Sequence, residues 1–155
     1  MKNINYYISE KLNIKNIKVH QYTCQPKTKE ELRAIIEERL KNDDNADLND
    51  IDVSEITDMS ALFFRKFPHN INISEWDVSN VTDMTSMFMY GHEFNANLSK
   101  WDVSNVKDMY DMFAECEKFN SDLSAWNVSN VKDMYGMFDN TPLEKNPPQW
   151  YWHKK

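Results

Sequence analysis

The chain has 155 residues, the length of one domain. Its hydrophobic share of 41% excludes a disordered polymer, and no apolar run approaches the ~18 residues of a membrane span. The net charge of −7 is uneven: residues 1–27 carry five bases against one acid, 28–42 balance, 43–141 hold 19 acids against 6 bases, and 142–155 add +2, so the acidic middle repels nucleic-acid phosphates.

Residues 1–43 read as a lead-in segment followed by a capping helix. Tyr6, Tyr7, Ile8 and Leu12 suit a short amphipathic turn, and Ile14, Ile17 and Val19 an extended piece ending at Pro26. Met1–Glu10 has no apolar signal core, which predicts a cytoplasmic protein of a bacterial host cell. Thr28-Lys29-Glu30-Glu31 is a capping box: the Thr28 hydroxyl accepts from the third helical N–H while Glu31 reaches back. The helix behind it is predicted to run to about Lys41, with Leu32, Ile35, Ile36 and Leu40 at helical spacing and Asn42-Asp43-Asp44-Asn45 stopping it.

Residues 44–141 repeat with a period of 25. Trp76-Asp77-Val78-Ser79-Asn80-Val81-Thr82-Asp83-Met84 returns at Trp101–Met109 and Trp126–Met134, and in degenerate form at Ile51–Met59. A fixed period of this size means stacked supersecondary units that build a core rung by rung. Aligning the units gives six apolar columns: Leu48, Ile73, Leu98, Leu123; Ile51, Trp76, Trp101, Trp126, with Tyr151 as the next step; Val53, Val78, Val103, Val128; Met59, Met84, Met109, Met134; Leu62, Met87, Met112, Met137; and Phe63, Phe88, Phe113, Phe138. Val81, Met84, Met87 and Phe88 fall on one face of a predicted short helix. Asn80, Asn105 and Asn130 with Asp83, Asp108 and Asp133 read as its N-terminal caps. Leu98 to Trp101 suits a short extended segment. Asn45, Asn70, Asn95 and Asn120 suggest a ladder of stacked amides, and the recurrent serines suggest turns.

Residues 142–155 break the repeat. Pro147-Pro148 removes edge donors, which argues against end-to-end association and for a monomer, and Trp150-Tyr151-Trp152 is placed to cover the last core layer.

With Phe94-Asn95-Ala96-Asn97-Leu98-Ser99 and Phe119-Asn120-Ser121-Asp122-Leu123-Ser124 ahead of the tryptophans, the unit resembles the BspA-type leucine-rich repeat of bacterial surface proteins and lipoproteins. The resemblance covers roughly 44–141. It implies a role in protein binding or adhesion and supplies no catalytic residues. The lead-in helix and Pro-rich end look like a compact form associated with small cytosolic or phage-borne versions. Together these observations predict an α/β fold. The resemblance implies a short leucine-rich-repeat-like solenoid, expected to hold about four strand-plus-short-helix repeats between an N-terminal capping helix and a Pro/Trp-rich C-terminal cap.

Catalysis finds no support in the residues. There is no G-x-S-x-G, no H-E-x-x-H and no cysteine beside a histidine, so the chain reads as a non-enzyme without cofactor. His20, His69, His92 and His153 share no metal spacing, the aspartates read as caps rather than calcium ligands, and the methionines read as core rather than copper ligands. Cys24 and Cys116 read as reduced thiols, with Cys116 in a slot held elsewhere by Gly91 or Thr141. Binding remains, and variation between repeats indicates where. The candidates for protein binding are Phe64, Tyr90, His92, Tyr110 and Tyr135, with Tyr110 and Tyr135 one repeat apart. Asp83, Asp108, Asp111 and Asp133 form a candidate acidic face. Two functions follow as expectations. One is a protein-binding module without direct nucleic-acid or membrane contact. The other is an acidic, phage-borne inhibitor, such as an anti-CRISPR or other anti-defence protein, that occupies the nucleic-acid channel of a basic bacterial nuclease.

Overall fold

Helix α1, Lys29–Leu40, begins where the capping box places it. Thr28 Oγ1 accepts from the Glu31 N–H at 3.2 Å, and Glu31 Oε2 reaches one residue beyond the cap to accept from the Lys27 N–H at 2.7 Å. The computed structural model describes residues 21–41, 45–65 and 71–152. The expected elements at Tyr6–Leu12 and Ile14–Val19, the helix stop at Asn42–Asp44, Asn70 of the amide column, and His20, His69 and His153 lie outside the described residues.

Leu32 and Ile36 of α1 are buried, and Ile35 and Leu40 pack partly buried against the same core. Polar contacts tie α1 to the first repeat. Lys29 Nζ lies 2.6 Å from Asp58 Oδ2, Arg33 donates to the Ala61 carbonyl at 3.1 Å, and Arg39 lies 2.9 Å from Asp50. The helix therefore covers the open end of the first rung.

Among the described residues there are no strands and no sheet. The other helical pieces are a 3-10 turn at Pro142–Glu144 and a four-residue helix α2, Gln149–Trp152. This overturns the expected α/β leucine-rich-repeat-like solenoid: the repeats contain neither the strand nor the short helix. The reason lies in where the backbone N–H groups go. In a helix over 81–88 they would bond four residues back within the rung. Here alternate N–H groups bond to the following rung: Met84 to the Asp108 carbonyl, Ser86 to Tyr110, Phe88 to Met112 and Tyr90 to Ala114, all at 2.8–2.9 Å. Between them, i-to-i+3 bonds close successive turns, as in Met87 N–H to the Met84 carbonyl. The same pattern runs from 59 to 65 and from 109 to 115. On the facing edge, the N–H groups of Thr82, Lys107 and Lys132 bond back to Thr57, Thr82 and Lys107, each at 2.8 Å. Adjacent rungs touch in parallel at isolated bridges, Asp58 with Asp83, Asp83 with Asp108, and Asp108 with Asp133, too short to count as strands.

This geometry needs left-handed backbone at two places per rung. Ala61, Ser86, Asp111 and Gly136 have φ of 51–66°, and so do Arg65, Tyr90, Glu115 and Asn140. A left-handed non-glycine residue costs about 1–2 kcal/mol. In the first three rungs each of these residues spends its N–H on the following rung, which offsets that cost.

The expected helix caps have other partners. Asn80, Asn105 and Asn130 donate Nδ2–H to the carbonyls of Ser54, Ser79 and Ser104, one rung back, at 2.7–2.8 Å. They form a ladder of amides between rungs, where a cap would have needed the side-chain oxygen as acceptor. Asp83, Asp108 and Asp133 accept from the N–H two residues on, at 2.9–3.0 Å, and so make turns. Of the expected ladder of stacked amides, the Asn95 and Asn120 side chains are exposed, with one link from the Asn120 N–H to Asn95 Oδ1 at 3.0 Å.

All six apolar columns are buried. The phenylalanines stack at 5.4–6.0 Å from Phe63 through Phe88 and Phe113 to Phe138, with planes within 8°. Each tryptophan Nε1–H reaches a carbonyl of the previous rung: Trp76 to Leu48, Trp101 to Ile73 and Trp126 to Leu98, at 2.8–3.0 Å. Trp150, rather than Tyr151, continues this column. It donates to the Leu123 carbonyl at 2.8 Å and stacks on Trp126 at 6.5 Å. One residue fewer in the Pro-rich stretch shifts the register by one. Tyr151 turns inward against Phe138, and Trp152 remains 57% exposed.

Candidate functional site

The turns after each Asp column carry the variable side chains, and rung stacking places them one above another. The structure separates the five aromatic candidates into two groups. Phe64, Tyr90 and His92 form a half-buried cluster, with Phe64 edge-on to Tyr90 at 5.8 Å and Tyr90 at 6.4 Å from His92. That cluster is already occupied. The Arg65 guanidinium lies 5.2 Å from the Phe64 ring centre and 5.0 Å from that of Tyr90, and His92 Nδ1 lies 3.1 Å from Glu117. Tyr110 and Tyr135 form the second group. Their rings stack at 6.1 Å, are 39% and 70% exposed, and stand on backbone fixed by the Asp108 and Asp133 turns.

Around this pair the charge is negative. Gly136, at φ +66°, leaves room for the Asp111 carboxylate: a Cβ there would stand 2.0 Å from Asp111 Oδ1 and 3.5 Å from Asp139 Oδ2. Burial first, and then the charges of Asp139 and Asp133, push the Asp111 carboxyl above its ordinary range. The Asp111 charge is the main reason the Tyr110 phenol is raised as well. Among the described residues, no ion pair neutralises Asp111, Asp133 or Asp139.

The other acidic candidates lie in one column. Asp83 and Asp108 are half-buried and Asp133 exposed, aligned through the parallel bridges with Asp58, which Lys29 neutralises. One oxygen of each is engaged by its own turn, and Asp108 also accepts from Thr85 Oγ1 at 2.9 Å. Arg65 and Asp139 are not among the candidates the sequence yields. Arg65 follows Phe64 and Asp139 is the repeat equivalent of Phe64, but nothing in the repeat alignment shows that their side chains meet a neighbouring rung.

Among the described residues, no three His, Cys, Asp or Glu side chains converge where a metal ion could sit, and no helix is long and apolar enough to cross a membrane. A cleft of about 310 Å3 opens at the C-terminal end between Asn120–Ser124 and Leu143–Pro148. Its carboxylate, Asp122, is held below the usual range by hydrogen bonds from Ser124.

Neither cysteine is in a disulfide. Cys116 is fully buried, donates to the Phe88 carbonyl at 3.1 Å, and lies 3.3 Å from where a Gly91 Cβ would stand, which explains the small residue there. Burial pushes its thiol up to about 12. At pH 8 the thiolate is the reactive form and Cys116 has almost none. A colorimetric thiol reagent is therefore expected to label half-buried Cys24 rapidly in the native chain and Cys116 only in denaturant. Two equivalents reacting at one fast rate would contradict this packing.

A family model described as "Mycoplasma protein of unknown function, DUF285" matches residues 31–150. No curated protein and no solved structure matches the chain. With 120 of its 155 residues inside that match, the chain belongs to the DUF285 family.

Proposed function

We propose that the chain is a non-enzymatic protein-binding module that presents the Tyr110–Tyr135 face to a protein partner. The observation that carries this is the exposed, stacked tyrosine pair on a rigidly hydrogen-bonded backbone. Tyrosine offers large contact area at low entropic cost, and such residues dominate binding energy when centred in an interface. The likeness of the 25-residue unit to BspA-type repeats supports a binding or adhesion role. The two free thiols suit a reducing compartment such as the cytoplasm.

The test is quantitative capture of partners by the native chain and by the Tyr110→Ala, Tyr135→Ala double variant. Truncating both rings is expected to cost at least ~2 kcal/mol of binding, a more than tenfold loss of captured partner. A partner held equally by both chains would overturn the reading. The aligned Asp column supports a second one, an acidic inhibitor seated in a nucleic-acid channel. That reading expects capture lost steeply with salt and with Asp83→Asn, Asp108→Asn and Asp133→Asn, but indifferent to the tyrosines.

A further inference from the structure

We propose that the Tyr110–Tyr135 face recognises arginine side chains of a basic protein segment, a guanidinium lying on the tyrosine pair while Asp111, Asp133 and Asp139 balance its charge. This rests on the protein-binding reading above and names the chemistry of the partner.

Three observations carry it. The rings are exposed and stacked, so they offer a flat aromatic surface to solvent. Asp111 and Asp139 converge over Gly136, next to Tyr135; Asp111 shares a side-chain hydrogen bond with Tyr110, and no ion pair among the described residues neutralises Asp111, Asp133 or Asp139. The chain also shows the same chemistry internally. On the adjacent ridge of earlier rungs, four to five positions further along the unit, an aromatic pair from two successive rungs, Phe64 and Tyr90, is covered by the guanidinium of Arg65. Among the described residues, no cation covers Tyr110 or Tyr135. The chain thus pairs a guanidinium with one aromatic pair, and the exposed tyrosine pair has no such cation among the described residues.

The physical chemistry selects arginine over the alternatives. A guanidinium stacks on aromatic faces, is weakly hydrated and donates in a planar fork to carboxylates, whereas an ammonium is compact and strongly hydrated. An apolar partner would bury the surrounding carboxylates without a counter-charge. Nucleic acid meets the −13 of residues 43–141, 6 bases against 19 acids. The same field attracts a basic segment.

The test uses the full chain and NMR of its tyrosine rings. The probe is a capped, unstructured peptide with two arginines in a glycine–serine background, compared with the same peptide carrying lysine or citrulline at both positions. Saturable shifts of the Tyr110 and Tyr135 ring signals are expected with the arginine peptide, with affinity several-fold weaker for lysine and about tenfold or more weaker for uncharged citrulline. Asp133→Asn with Asp139→Asn is expected to weaken the arginine peptide about fivefold while the ring stack persists. Tyr135→Phe, which keeps the aromatic face, is expected to retain binding and so guards against a variant that merely misfolds. Equal binding of arginine and citrulline peptides, shifts confined to other residues, or no binding would overturn the proposal. If partner capture still depends on both tyrosines in that case, only the arginine chemistry falls. If capture ignores the tyrosines, the protein-binding reading falls by itself.

Discussion

Trp101→Ala is expected to lower stability by about 3–5 kcal/mol, a large fraction of what a domain of this size possesses. The indole is 3% exposed, stacks on Trp76 at 6.5 Å with planes 5° apart, and lies 6.3 Å from Phe88. Its Nε1–H is the partner of the Ile73 carbonyl one rung back. Truncation removes that volume between two rungs together with the inter-rung hydrogen bond, while the Ile73 carbonyl keeps the Trp76 N–H at 3.2 Å. Trp101→Phe separates the two losses: most of the aromatic surface remains, the hydrogen bond goes, and about 0.5–1.5 kcal/mol is expected. Tyr135→Ala is the contrast. Its ring is 70% exposed, so the cost is expected within about 0.5 kcal/mol although the residue is equally aromatic. Urea unfolding of the three variants checks the ranking. Equal losses for Trp101→Ala and Tyr135→Ala would contradict the assignment of one ring to the core and the other to the binding face.

That contrast also shows what the sequence reveals and what it conceals. The period of 25 identifies the core, because residues that recur at one position must share one environment in a stack. All four members of the Trp76 column and of the Phe88 column are buried as expected. The local conformation does not follow from the same pattern. Met84, Met87 and Phe88 have helical spacing, yet a run of i-to-i+3 turns brings residues three apart to one side as well. Periodicity cannot distinguish the two; the destination of the N–H groups can, and that depends on the neighbouring rung. The Asn80, Asn105 and Asn130 side chains differ from helix caps for the same reason. Asn80 satisfies a carbonyl 26 residues away, a partner invisible to any local rule.

Two buried columns escaped the six-column alignment. Ile56, Val81, Val106 and Val131 are buried inside the quoted motif, and Phe94 and Phe119 stack at 5.6 Å while lying 4.0–4.1 Å from Phe88 and Phe113. Recurrence of Phe94 and Phe119 was the available signal; two copies instead of four made it weak. At the candidate site, the Tyr110–Tyr135 stack was legible because residues 25 apart sit in adjacent rungs. The closed cluster of Phe64, Arg65 and Tyr90 was not, since it depends on one left-handed turn aiming a guanidinium at the next.

Excising residues 101–125 tests the stacking principle directly. Lys100 is then joined to Trp126, and the inter-rung partners of the repeated motif are replaced by their equivalents. Trp126 Nε1 meets the Ile73 carbonyl, Asn130 meets Ser79, and the Met84 N–H meets the Asp133 carbonyl, because each bond spans one period plus a fixed offset. The shortened chain is expected to unfold cooperatively, with a denaturant slope smaller by about one-sixth, its share of the 155 residues. Removing only residues 101–112 deletes fewer atoms but shifts every later column out of register. Met134 and Met137 then fall opposite Asn97 and Lys100, and no cooperative transition is expected. If both deletions fold, or neither does, register between rungs is not what holds the chain together. The full-rung deletion also takes Tyr110 and Asp111 with it while leaving Tyr135. A chain that folds but no longer captures partner would tie binding to a face that only two consecutive rungs can build.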